Sequence, residues 1–214
     1  MKKAIIWDLD GTLWDACDRI SIAWNAYSEA SGEAIRFTGD LCRSCCGKTL
    51  PQIAQYLFPE RDREWAEQFV VALCDAECIP LAQEGGKLYE NEREILELLH
   101  REYFMAVVSN CGLNYIESFF QGNRMSEYFD DYENAARTGL EKGDNIRLVL
   151  ARNQIDFAVY IGDTDSDRSA AKLAGIPFIH AAYGFGTVEN CAFSIRELRE
   201  LPAALKQVEQ KYIT

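Results

Sequence analysis

Ile5-Ile6-Trp7-Asp8-Leu9-Asp10-Gly11-Thr12 is the stretch that decides the fold. The apolar run from Ile5 to Trp7 is short, β-branched and aromatic, and it stops at an aspartate, which is the pattern of a buried parallel strand. Residues two apart project the same way, and Gly11 lets the chain turn sharply. Asp8 and Asp10 therefore present two carboxylates to one point beyond the strand end. Taken alone, the pentapeptide from Asp8 to Thr12 also reads as a plain acidic turn.

Two more runs repeat the pattern: Phe104 to Val108 before Ser109, and Ala158 to Ile161 before Gly162-Asp163. Helical spacing fills the intervals, with Ile95, Leu98 and Leu99 on one face of Glu90 to Arg101, and Ile146, Val149 and Leu150 on one face of Asp144 to Asn153. Alternating strands and amphipathic helices predict an α/β parallel sheet covered on both faces. Ligands of such sheets sit beyond the carboxyl ends of the strands, so this logic brings Asp8, Ser109 and Asp163 together.

The alternation is interrupted from Ala16 to about Gln83, where the periodicity is helical: Ile20, Trp24 and Tyr27, then Trp65, Phe69, Ala72 and Leu73. The expected division is a core of residues 1–15 and 84–214 with a helical insert at 16–83. Pro51, Pro59 and Pro80 are expected to mark breaks in the insert or its end, and Gly85-Gly86 its return to the sheet. Ser194 with Glu197 predicts a capping box opening the last helix.

The charge balance of 34 acidic to 22 basic residues, with no basic run, argues against a nucleic-acid partner, which needs clustered Lys and Arg. An anionic ligand must then be held by a divalent cation and one or two placed lysines. The first apolar run is too short for a signal-peptide core and no other run reaches membrane-spanning length, so the chain is expected to be cytoplasmic, free of membrane, and to keep its eight cysteines reduced.

Asp8-Leu9-Asp10-Gly11-Thr12, then Ser109-Asn110, then Lys142, then Gly162-Asp163-Thr164-Asp165-Ser166-Asp167 resemble, in order and spacing, the four motifs of the haloacid dehalogenase superfamily. The resemblance spans nearly all of the core, and Tyr183-Gly184-Phe185-Gly186 is similar to a common late segment. It implies a Rossmann-like core with a helical cap of the first type, as in phosphoglycolate phosphatase-like and β-phosphoglucomutase-like members. It also implies a magnesium-dependent phosphatase acting on a small phosphorylated metabolite, as a monomer or homodimer. Asp8 would be the nucleophile and carry the phosphoryl group, which splits one hard hydrolysis into two displacements. Asp10 would be general acid and base, and its presence favours phosphoryl transfer over dehalogenation. A phosphomutase would share both carboxylates, and a non-catalytic binder of a phosphorylated ligand is the alternative from another class.

Asp163, Asp8 and the backbone carbonyl of Asp10 are the implied magnesium ligands, with Asp167 steadying a metal-bound water. Ser109 reads either as a donor to a phosphoryl oxygen or as a cap for a helix from Leu113 to Phe120. Asn110 joins it as a candidate substrate contact. Lys142 supplies fixed positive charge, although Gly143-Asp144 follows it where the family often has prolines. Arg43 and Lys48, flanking a loop around Gly47, are candidate substrate contacts or solvated surface charge. Tyr89-Glu90-Asn91 replaces a frequent Pro-Gly hinge, and Asn91 can take the left-handed conformation that a hinge needs.

Other signals are weaker. Arg168 and Ala174 stand where a calcium loop beginning at Asp163 needs glycine and glutamate, and Asp165 reads as a helix N-terminal acid. Cys42, Cys45 and Cys46 with Cys74 and Cys78 could in principle assemble a zinc site, but the spacing is irregular and lacks a paired knuckle pattern, so core or half-exposed thiols are expected. Cys111 lies close enough to Ser109 to sensitise an active site to oxidation. With only His100 and His180 in the chain, no serine or cysteine triad can be assembled.

Overall fold

A computed structural model describes residues 1–213. The core opens with β1 (Lys3–Trp7) and the two-residue strand β2 (Trp14–Asp15). Four helices follow in succession: α1 (Cys17–Ala30), α2 (Gly39–Cys45), α3 (Leu50–Leu57) and α4 (Arg63–Glu84). The chain returns through β3 (Lys87–Leu88) to α5 (Glu92–His100), β4 (Phe104–Ser109), α6 (Tyr115–Asn123), β5 (Asp131–Asn134) and the short α7 (Ala135–Thr138). It ends with α8 (Lys142–Arg152), β6 (Phe157–Gly162), α9 (Asp165–Ala174), β7 (Phe178–Ala181), β8 (Ser194–Ile195) and α10 (Leu201–Tyr212).

The six-stranded sheet has the order β5-β4-β1-β6-β7-β8, with every adjacent pair parallel. In β1 the strand period of two sends Ile5 and Trp7 into one apolar cluster and Ala4 and Ile6 into the other. The second cluster is closed by Ile146 and Val149 of α8 and Ala170 and Ala171 of α9. The first is closed by α5, α6 and α10 and continues into α1–α4 through Trp14, Ile20 and Leu73. Strands covered on both faces explain why the sequence runs are continuously apolar. No helix among the described residues is long and apolar enough to cross a membrane.

The antiparallel pair β2 and β3 forms the neck through which the chain enters and leaves α1–α4. Gly86 lies against Trp14 here, since a Cβ on it would come within 2.6 Å of the indole. Asn91 has φ 62°, the left-handed turn expected at this return.

Two expectations are corrected. Pro80 lies inside α4 instead of ending it. The last turn of α4 is held by α6, where Gly122 packs so closely that a Cβ would sit 2.0 Å from the Leu81 carbonyl, and this tertiary contact outweighs the lost backbone hydrogen bond. Ser194 does not cap the last helix. The His180 amide donates to the Phe193 carbonyl and the Ala182 amide to Ile195, so Ser194 and the buried Ile195 extend the sheet, and α10 starts at Leu201 with Pro202 in its first turn. The ladder and burial of Ile195 outweigh a local cap.

Candidate active site

The order β4-β1-β6 places three strand ends side by side, and with them Ser109, Asp8 and Asp163. The Asp8 amide donates to the Ile161 carbonyl at 2.8 Å, which continues the ladder one residue past β1 and fixes the direction of its side chain. Lys142, the first residue of α8, donates to Asp8 Oδ1 at 2.8 Å and to Asp167 Oδ1 at 2.7 Å, with all three groups buried. Gly143 is what allows this. A Cβ there would lie 2.6 Å from the Leu173 side chain, so glycine seats the first turn of α8 on α9 and swings Lys142 inward. The position that departs from the family's proline is thus filled by a residue that this packing requires.

Asp167 is fully engaged. Its second oxygen accepts from the Thr164 hydroxyl at 2.6 Å and the Thr164 amide at 3.0 Å, closing a capping box at the start of α9. Asp163 is held from one side only. Its Oδ2 accepts the Phe185 and Gly186 amides at 2.7 and 3.0 Å, while its Oδ1 is buried without a partner. Gly184 permits this approach, because a Cβ would fall 2.2 Å from the Gly11 carbonyl and 2.4 Å from Asp163 Cβ.

Asp8, Asp163 and Asp167 offer carboxylate oxygens within 4.8 Å of one another, the one such convergent group of His, Cys, Asp and Glu among the described residues. One ammonium faces three buried carboxylates. Burial first, and then the charge of Asp167, push Asp8 up to about 7 against the pull of Lys142. Asp163 rises to about 7 for the same two reasons, against the Phe185 and Gly186 amides. Lys142 is held well above its usual range because Asp167 and Asp8 outweigh its burial. An all-oxygen set with excess negative charge and one unpartnered oxygen on Asp163 fits a small hard divalent cation such as magnesium.

Asp10 is half-buried, and its Oδ1 takes two donors, the Tyr115 hydroxyl at 2.7 Å and the Trp14 indole at 2.9 Å. Burial pushes it up to about 7; the Tyr115 hydrogen bond pulls the other way and Asp8 adds to the rise. Its Oδ2 is left free to meet a ligand.

A cavity of about 50 Å³ lies between this constellation and α1–α4, lined by Asp10, Ser109, Asn110, Lys48, Trp24 and Glu77 among others. Asn110 donates to the Gly47 carbonyl at 3.1 Å, a direct tie from β4 to the loop before α3, and its own Oδ1 is buried without a partner. Ser109 does not cap α6, which starts at Tyr115 behind Asn114. Arg43 is not on this cavity; Asp15, Asp18 and Asp40 hold its guanidinium at 2.9 to 3.0 Å. Lys48 lines the cavity, yet its ammonium donates to the Ser44 carbonyl and lies 5.1 Å from the Tyr56 ring centre.

The eight cysteines are free thiols. Cys42, Cys45, Cys74 and Cys111 line the cavity, and burial holds the Cys111 thiol well above its usual range. His100 pairs with Asp130 at 3.3 Å and His180 contacts Ser194 at 3.4 Å, both outside the constellation. Sequence reading missed Trp14, Tyr115 and Glu77. The spacing Leu73, Glu77, Leu81 carried a signal for the last, a carboxylate set on the buried stripe of an otherwise apolar helix face.

Residues 5–181 match the family model described as haloacid dehalogenase-like hydrolase. The chain is 26% identical over 213 residues to phosphoglycolate phosphatase of Vibrio parahaemolyticus, covering 90% of this chain and 89% of that one. It is 28% identical over 199 residues to phosphoglycolate phosphatase of Photobacterium profundum, covering 86% and 84%. Among solved structures, a haloacid dehalogenase-like hydrolase from Streptococcus pneumoniae superposes with TM-score 0.80 at 20% identity, covering 95% of this chain and 98% of that one. CbbY from Rhodobacter sphaeroides, in complex with xylulose-1,5-bisphosphate, superposes with TM-score 0.75 at 19% identity, covering 96% and 99%. Four motifs gathered at three adjacent strand ends, and a family match over most of the chain, make this protein a member of the haloacid dehalogenase-like hydrolases.

Proposed function

We propose that this protein is a magnesium-dependent phosphatase that hydrolyses a small phosphate monoester through an aspartyl phosphate on Asp8, with α1–α4 as a cap over the site. The observation that carries the reading is the pair of Lys142 hydrogen bonds to Asp8 and Asp167, set beside an Asp10 whose Oδ2 is unengaged. Asp8 attacks phosphorus in line, and Lys142 holds its carboxylate in position while offsetting charge on the phosphoryl oxygens. Asp10, poised near neutrality, gives its proton to the leaving oxygen and then takes one from the water that attacks the aspartyl phosphate. Ser109 and Asn110 offer donors to the phosphoryl group, and Lys48 lies on the cavity wall. Asp8, Asp163 and the Asp10 carbonyl would hold magnesium, which when bound neutralises phosphoryl oxygens. The cap keeps bulk water out while the ester is cleaved.

The relatives named phosphoglycolate phosphatase support a small phosphorylated substrate. The test is phosphate release from a panel of small monoesters, with and without magnesium, for wild type and Asp8→Asn. Magnesium-dependent release that disappears in a folded Asp8→Asn protein is expected. Equal release by the variant would overturn the nucleophile assignment.

A further inference from the structure

Glu77 is a buried acid that the chemistry at Asp8 does not use. It projects from α4 and lines the same cavity as Asp10, and it is 4% exposed. The Trp24 indole donates to its Oε2, while its Oε1 has no hydrogen-bond partner among the described residues. The rest of the wall near it is apolar or thiol: Ile20, Ile53, Cys42 and Cys74. Lys48 is the one cation on the lining, and its ammonium is already engaged by the Ser44 carbonyl and the Tyr56 ring.

We infer that Glu77 selects the leaving group, and that the substrate is a small monoester whose alcohol carries a second hydrogen-bond donor, a hydroxyl or an ammonium. The inference rests on the phosphatase reading and deepens it. The cavity of about 50 Å³ has room for a handful of heavy atoms, on the order of four water volumes. With the phosphoryl group at Asp8 and the leaving oxygen at Asp10, the far end of a short alcohol meets Glu77. A donor there gives Oε1, which has no hydrogen bond in the protein, a partner on the cavity wall. Burial holds Glu77 well above its usual range even against the Trp24 hydrogen bond, as a carboxyl without a cation requires. A carboxylate-bearing alcohol such as glycolate would meet the Glu77 acid at that end of the cavity, so this pocket differs in its demand from what the relatives' names describe.

The experiment compares kcat/KM for sn-glycerol 3-phosphate, O-phosphoethanolamine, 2-phosphoglycolate and methyl phosphate, the last having no group to reach Glu77. Each value is divided by that for methyl phosphate on the same preparation, so loss of folded enzyme cancels. Wild type is expected to favour the glycerol or ethanolamine ester over 2-phosphoglycolate by about tenfold, the upper scale of a single hydrogen bond. Glu77→Leu should reduce that ratio about tenfold. Glu77→Gln, which keeps an acceptor but no charge, should restore most of it for the glycerol ester and little for the ethanolamine ester. Preference of the wild type for 2-phosphoglycolate, or a ratio unchanged in Glu77→Leu, would overturn the assignment of Glu77 alone. Absence of phosphate release from all four esters would overturn the phosphatase reading together with it.

Discussion

Tyr115 donates to Asp10 Oδ1 at 2.7 Å, on the same carboxyl oxygen that the Trp14 indole engages at 2.9 Å. Two donors on one oxygen fix the rotation of the carboxyl and leave Oδ2 unengaged. Tyr115 is the first residue of α6 and Trp14 belongs to the neck, so the Asp10 carboxyl is aimed by both the core and the entrance to the helical segment. The edge-to-face packing of Trp14 with Tyr115 and Phe119, at centroid distances of 5.4 and 5.1 Å, holds the two donors in place.

Tyr115→Phe removes one donor and keeps the ring. We expect kcat to fall about tenfold with KM within about twofold, because a misaimed Asp10 weakens proton transfer more than binding. Steady-state kinetics on the best ester of the panel gives the answer. A rise in KM at constant kcat would show that Tyr115 contacts substrate instead of orienting Asp10.

Asp163→Asn tests the charge imbalance. The amide oxygen still accepts the Phe185 and Gly186 amides, while one of three buried like charges disappears. Without magnesium the variant should melt higher than wild type, by about 2–4 °C for each kcal/mol of relieved repulsion in a chain of this size. Wild type should gain melting temperature on addition of magnesium and the variant should not. A variant that melts lower than wild type without metal would refute the repulsion argument.

Lys142→Met tests the other sign. Asp8 and Asp167 would be left buried with no cation, and a broken buried pair costs about 3–5 kcal/mol. Urea unfolding should show that loss, and adding Asp167→Asn should return part of it because the orphaned charge is removed. Additive losses in the double variant would mean that the two groups are not coupled.

Much of the site was legible because it depends on strand ends. Asp8, Ser109 and Asp163 each follow an apolar run, and the parallel sheet must align such ends, so the sequence pattern carried the constellation. Asp167 and Lys142 follow from the same chain order, but the reason that Lys142 reaches inward was not visible: it depends on Gly143 meeting Leu173, a contact between two helices. Tyr115 and Trp14 were missed because an aromatic residue on an apolar face reads as core until its polar tip is seen to meet Asp10. Whether Arg43 is a substrate contact or surface charge is open in the sequence because its carboxylate partners Asp15 and Asp18 lie far from it along the chain. Pro80 and Ser194 show the same limit, since each local signal yielded to tertiary packing.

Arg152 provides a test of the edge of the fold, away from Asp8 and Asp10. It donates to both oxygens of Asp131 at 2.7 Å and to Glu133 at 2.7 Å, tying α8 to β5. Burial works to raise Asp131, but hydrogen bonds from Arg152 and Asn153 prevail and hold it below its ordinary value of 3.8. A carboxyl depressed in the folded state binds protons less readily there than in the unfolded chain. Its contribution to stability is therefore full above the unfolded value and is lost as pH falls through the folded one. Arg152→Leu should lower the free energy of urea unfolding at pH 7 by about 1 kcal/mol, the scale of a partly exposed ion pair. The gap between variant and wild type should narrow as pH drops below 3.8, where the unfolded chain takes up a proton at Asp131, and should close once pH falls below the depressed folded value. A gap that stays constant from pH 7 to pH 3 would show that Arg152 acts through its packing and not its charge.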